Sequence, residues 1–180
     1  MKKIAILGIV VVLLLVLTGG PAIAAKQTVI VVPDDHDTIQ EAVDAASDGD
    51  KIIVGAGEWF GAEVDKAVEI RGKGRAVIVD GPTLTGNLKQ GFRVTADGVT
   101  ISHLTFEVEF PVYAAYVDDV TVEHNAMIDP IQGVTNWYGS SWVIRHNVVT
   151  GLWDFSGGGL AIFIGAKVAF PARDNLVAFN

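Results

Sequence analysis

From Lys51 onward the chain alternates short apolar runs with glycine or acidic turns: Ile52-Ile53-Val54 before Gly55, Val68-Glu69-Ile70 before Gly72, and Val77-Ile78-Val79 before Asp80-Gly81. Runs this short, bounded by turn formers, predict strands. An earlier β-branched run, Thr28 to Val32, is closed by Pro33 and Asp34-Asp35. One segment has a helical period. Thr38 and Glu41 stand three apart as in a capping box, and Ile39, Ala42, Val43 and Ala46 share one face until Asp48-Gly49-Asp50. The intervals between strands are too short for the helical crossovers that parallel strands usually need, which leaves a hairpin meander or a solenoid.

Internal repetition decides between them. Asp97-Gly98-Val99-Thr100-Ile101-Ser102-His103 aligns with Asp118-Asp119-Val120-Thr121-Val122-Glu123-His124 after a shift of 21, and with Ser140-Ser141-Trp142-Val143-Ile144-Arg145-His146 after a further 22. Asn175 to Asn180 fits after 33, the longer interval holding Ser156-Gly157-Gly158-Gly159 and Phe170-Pro171 as an insertion. A repeat of about 20 residues without helical period suits one turn of a β-solenoid, whose levels stack ~4.8 Å apart. The register predicts one inward column, Ile101, Val122, Ile144 and Val177, and another, His103, His124, His146 and Phe179. Asn125, Asn147 and Asn180 form the next column, where side-chain amides bond along the stack.

The succession Thr38 to Ala46, Gly49 to Val54 and Val68 to Gly72, with the later Gly98-Val99-Thr100-Ile101-Ser102 and the His-Asn and Phe-Asn rungs, resembles right-handed parallel β-helix repeat proteins of the pectin-lyase-like superfamily. The resemblance implies an all-β right-handed parallel β-helix with a short N-terminal capping helix, and it is specific for fold rather than activity. It also implies further rungs and a C-terminal cap, so a chain stopping at Asn180 in mid-repeat is expected to be a C-terminally truncated piece. The expected organisation is a signal peptide over 1–25 and a partial β-helix over 26–180, with a cap at 28–50 and rungs from 51 onward.

The first 25 residues change the picture of where the protein works. Lys2 and Lys3 precede an apolar run from Ile4 to Leu17, broken by Thr18-Gly19-Gly20-Pro21 ahead of Ala22-Ile23-Ala24-Ala25. The run is shorter than the ~20 residues that span a bilayer, so it predicts a cleaved signal peptide and an exported protein, extracellular or in the cell envelope. No cysteine is present, which excludes disulfide staples and zinc-thiolate sites. Without Lys2 and Lys3 the 13 basic residues fall to 11 against 21 acidic, and the formal charge moves from −8 to −10. Such a surface repels nucleic acid and anionic membrane, and the mature chain is expected to be a monomer when full length.

Candidate chemistry comes from the loops. Trp137, Tyr138 and Trp153 lie between strands, with Glu109, Asp129 and Asp154 in comparable positions after the strands of successive rungs. Flat aromatics beside carboxylates suit sugar rings, held by stacking and by hydroxyl hydrogen bonds, so polysaccharide is the expected partner. Lyases of the resembled superfamily need carboxylates for calcium and a positioned base; Asp118, Asp119, Glu123 and Arg145 offer these types, although turn formation by the Asp pair and a cross-rung ion pair between Glu123 and Arg145 explain them better. Calcium is implied by the resemblance alone. Stacked imidazoles at His103, His124 and His146 are an alternative site for copper or zinc. A surface solenoid without catalysis is the rival to all of these.

Overall fold

The computed structural model describes residues 26–84, 86–153 and 159–180. The proposed signal peptide, Asp154 and most of the glycine-rich insertion lie outside these residues. The described chain is all-β apart from one helix, α1 (Ile39–Ala45). Its strands form three parallel sheets, an arrangement consistent with a β-helix-like solenoid. Sheet A contains β1 (Val29–Val32), β2 (Lys51–Val54), β5 (Glu69–Gly72), β8 (Thr100–Ser102), β11 (Thr121–Glu123), β14 (Val143–Arg145) and β17 (Leu176–Ala178). Sheet B contains β3 (Gly57–Phe60), β6 (Ala76–Asp80), β9 (Thr105–Phe106), β12 (Ala126–Ile128) and β15 (Val148–Thr150). Sheet C contains β4 (Ala62–Val64), β7 (Gln90–Val94), β10 (Phe110–Ala115), β13 (Gln132–Trp137) and β16 (Leu160–Gly165).

After β2 the chain visits A, B and C in unbroken rotation, and each strand pairs in parallel with its counterpart one circuit away. The circuits therefore create three corners. The A–B corner takes only two or three residues at every level; the B–C corner varies from Gly61 alone to 81–89 and 151–159. Ile52, Ile70, Ile101, Val122 and Ile144 stack in register inside sheet A, each without exposed surface. Ile78, Phe106 and Met127 do the same for sheet B, and Phe92, Val112 and Val134 for sheet C. Phe92 and Phe106 meet edge to face across the interior at 5.8 Å. Val177 continues the sheet A column but is 46% exposed, since β17 is the edge strand of sheet A among the described residues.

The helix forms where its capping box predicts. Thr38 Oγ1 accepts from the Glu41 amide at 3.1 Å, and the Glu41 carboxylate accepts from the Thr38 amide at 3.1 Å. Ile39, Ala42 and Val43 are buried against β1, β2 and β4. Ala46 already has extended backbone, so the helix stops before the Asp48-Gly49-Asp50 signal. Asp50 closes this region by accepting from the Thr28 amide at 2.7 Å and the Ser47 amide at 2.8 Å. Strand β1, inside the segment read as a cap, is itself hydrogen-bonded to β2 as the first member of sheet A.

The A–B corner corrects one expectation and supports another. His103, His124, His146 and Phe179 do not point inward; all four are exposed. Each has a left-handed backbone, with φ between 54° and 58°, and this conformation turns the side chain outward at the bend. The inward column is the asparagine one, with Asn125 and Asn147 buried. Asn125 Oδ1 accepts from the Leu104 amide at 3.0 Å, while its Nδ2 donates to Ile101 O and Asn147 Oδ1, both at 3.1 Å. Asn147 repeats the pattern toward Val122 O at 2.9 Å and Asn180 Oδ1 at 3.0 Å. The ladder thus satisfies backbone groups that the bend removes from the sheets.

Candidate functional site

The B–C corner opens a groove of about 600 Å³, lined by Val79, Lys89, Glu107, Val108, Glu109, Ile128, Asp129 and Trp153. Its walls come from successive circuits. Corner 81–89 brings Lys89 back beside Asp80 at the end of β6, where Nζ meets Oδ2 at 2.8 Å. The hydrogen bond to Lys89 holds the Asp80 carboxyl below its ordinary value, against the opposing effect of burial. Lys89 is correspondingly raised by that bond, with further help from the charges of Asp80 and Glu109. One level on, Glu109 Oε2 accepts from the Lys89 amide at 3.1 Å, fixing this carboxylate at the groove wall.

Asp129 follows β12 with φ of 51° and donates its amide to Thr150 O at 2.8 Å. Its carboxylate lies over Gly151. A Cβ at Gly151 would push the Asp129 carboxylate aside, and its φ of 67° favours glycine. The chain then turns through Leu152 to Trp153, whose amide donates to Pro130 O at 3.0 Å. Trp153 is 63% exposed, with Ile128 also open to solvent. The groove consequently joins an exposed indole to the wall formed by Glu109 and Asp129. Lys89, Glu107 and Ile128 were not singled out from sequence; Lys89 enters only because corner 81–89 returns to β6.

Trp137 and Tyr138 stand at a different corner. Trp137 ends β13 and is half-buried, 4.4 Å from Phe163 between ring centroids. Tyr138 lies in the C–A turn, 4.9 Å from Tyr116 and 6.0 Å from Phe170, with Lys167 Nζ 5.0 Å from its ring centre. These aromatics continue one another from level to level, as the inner columns do. Asp154 lies outside the described residues. The loop edge expected to gather all six candidates therefore brings together Glu109, Asp129 and Trp153, and not Trp137 or Tyr138.

The remaining candidates occupy structural positions. Asp118 Oδ1 accepts from the Ser140 amide, and its own amide donates to Asp97 Oδ1. Asp119 has the left-handed backbone of the turn, with φ of 58°. Glu123 and Arg145 are register partners joined at 2.7 Å across adjacent strands. Along the histidine column, ring centroids are 5.1 Å apart for His103 and His124 and 4.8 Å for His124 and His146, and Phe179 extends the stack at 5.2 Å. His124 and His146 are within 8° of parallel, so their in-plane nitrogen lone pairs run side by side rather than converging. Among the described residues no three His, Asp or Glu side chains are grouped to hold a metal ion. Nor is any described helix long and apolar enough to cross a membrane. In the comparisons with known proteins, no family model, curated protein or solved structure matches the chain.

Proposed function

We propose that the chain is an exported right-handed parallel β-helix of the pectin-lyase-like kind that binds carbohydrate at its B–C corner. The observation carrying the binding site is the exposed Trp153 indole in one groove with Glu109 and Asp129. An indole presents a flat apolar face to the C–H side of a pyranose ring, while carboxylates accept hydrogen bonds from its hydroxyls. The three side chains come from successive circuits, and the groove runs across levels, which suits a chain of sugars more than a single one. The cyclic three-sheet path and the buried asparagine ladder support the fold reading.

The charge of the groove narrows the ligand. Lys89 is engaged by Asp80, leaving Glu107, Glu109 and Asp129 to set the sign. Neutral glycans fit this wall better than polyanions, unless calcium bridges the carboxylates. The test is titration of the full chain with neutral and uronate oligosaccharides, read by tryptophan fluorescence and calorimetry. Binding is expected, and Trp153→Ala should weaken it by at least roughly tenfold, the scale of a lost aromatic anchor. Absence of binding across both glycan classes, or equal affinity in the variant, overturns the reading and leaves a structural solenoid.

A further inference from the structure

A second groove, of about 530 Å³, opens at the A–B corner on the other side of sheet B. It has the opposite character. Its lining includes Arg71, Lys73, His103 and His124, over a floor of Gly72, Gly74 and Ala126, and contains no carboxylate. The cause lies in the column register. Arg71 pairs with Ser102, so Gly72 occupies the level below His103 in the column that continues through His124, His146 and Phe179. Gly72 has no ring to extend the stack. A Cβ there would meet His103 O at 2.1 Å, so the backbone approach that builds this corner also keeps the space open.

The surrounding charges are already sorted. Glu69 is paired with Lys51 at 2.6 Å and Glu123 with Arg145 at 2.7 Å. Among the described residues neither Arg71 nor Lys73 is in an ion pair. Arg71 Nη2 instead lies 3.4 Å from His103 Nε2. Partial desolvation of the ring at the recess, then Arg71, then His124 hold His103 below its ordinary value of 6.5, while Glu123 and Glu69 act the other way. Arg71 and Lys73 thus line a recess whose neighbouring carboxylates, Glu69 and Glu123, already have other partners, on a protein whose formal charge is −8.

We propose that this recess is an oxyanion site in which the Arg71 guanidinium and the Lys73 ammonium grip a carboxylate or phosphate group beside the His103 ring. Guanidinium supplies a planar fork of N–H donors and ammonium a mobile point charge, a pairing suited to oxygen anions. The site is independent of the carbohydrate groove, since it uses none of the same residues.

The test uses the full chain with histidine side chains observed by NMR, titrated separately with acetate and inorganic phosphate at constant ionic strength. Saturable shifts of the His103 resonance with either anion support the site, and the ratio of the two affinities separates a carboxylate ligand from a phosphate one. Arg71→Ala should weaken binding at least about tenfold, the scale of one charge-assisted hydrogen bond. Lys73→Ala, at an exposed position, gives the same reading if Arg71→Ala disturbs folding. Arg173→Ala, at the C–A corner, should leave the affinity unchanged. Linear, non-saturating shifts with both anions, or an affinity indifferent to Arg71→Ala and Lys73→Ala, overturn the proposal.

Discussion

Asn125 and Gln90 are both buried amides, and they have opposite energetic standing. The Asn125 side chain makes three hydrogen bonds, to the Leu104 amide, the Ile101 carbonyl and the Asn147 side chain. Gln90 is fully buried, yet neither its Oε1 nor its Nε2 has a partner among the described residues. Urea unfolding should separate them. Asn125→Ala strands a buried donor and acceptor and should cost about 3 kcal/mol, whereas Gln90→Leu, of similar volume, should stabilise by about 1 kcal/mol. Stabilisation on losing Asn125, or a loss of comparable size at Gln90, would contradict this account. The asparagine column was legible because identical polar residues recurred at the repeat spacing. The outward direction of the histidines was not, because it depends on a left-handed backbone that alternation along a strand does not encode.

At the scale of elements, sheet A was readable and sheet C was largely hidden. The strands of sheet A carry clean alternation and recur after Asp or Gly turns. In sheet C, β7 begins Gln90-Gly91 and β13 begins Gln132-Gly133, which reads as a turn signal. The glycines serve packing instead. A Cβ at Gly91 would stand 2.5 Å from Pro111 O and 2.7 Å from the Phe106 ring, and one at Gly133 would stand 2.4 Å from Ala161 O. Glycine here lets an adjacent strand and a core ring approach the backbone closely. The helix was legible because its signal is local: a capping box and a four-residue stripe. With only seven residues, α1 owes most of its stability to its buried face, and the cap adds to that. Thr38→Ala should therefore lower stability by about 1 kcal/mol without unfolding the sheets, as measured by denaturant midpoint. Loss of the whole β signal in circular dichroism would show that α1 has a larger part than its contacts indicate.

For the whole molecule, the shifted groups define a pH window. His103 sits below its ordinary 6.5, so the unfolded chain takes up that proton first, and stability falls as pH drops from about 6.5 through the folded value. Asp50 and Asp80 are held below 3.8, the first mainly by hydrogen bonds from the Ser47 and Thr28 backbone and the second by Lys89; their contribution is lost at lower pH, below 3.8 and through the folded values. Lys89 is raised above 10.5, and its contribution is complete below that value and lost as pH rises through the folded one. Stability should thus be greatest between about pH 6.5 and 10.5. In His103→Asn, a residue that accepts the same left-handed backbone, the upper acid-side loss should vanish. A urea midpoint that rises on acidification from pH 7 to 5 would contradict the assignment. The candidate site was only partly visible at this scale: Glu109, Asp129 and Trp153 share a groove because three circuits converge, while Trp137 belongs to a corner that sequence spacing did not distinguish.

The unequal corners have a consequence for how such a protein can change over generations. At the A–B corner two or three residues must deliver the next side chain to a fixed place, so an added residue would throw the asparagines out of line from level to level. The B–C corner already accepts spans as different as 107–109 and 151–159 while β10 and β16 both stay in register with β13. Tolerance of insertion is thus unequal by place: one edge of the molecule has no room for an added residue and another has. The tolerant edge holds Trp153 and its neighbouring carboxylates, so new ligand preferences can arise there by lengthening a turn, with no strand re-registered and no core residue replaced.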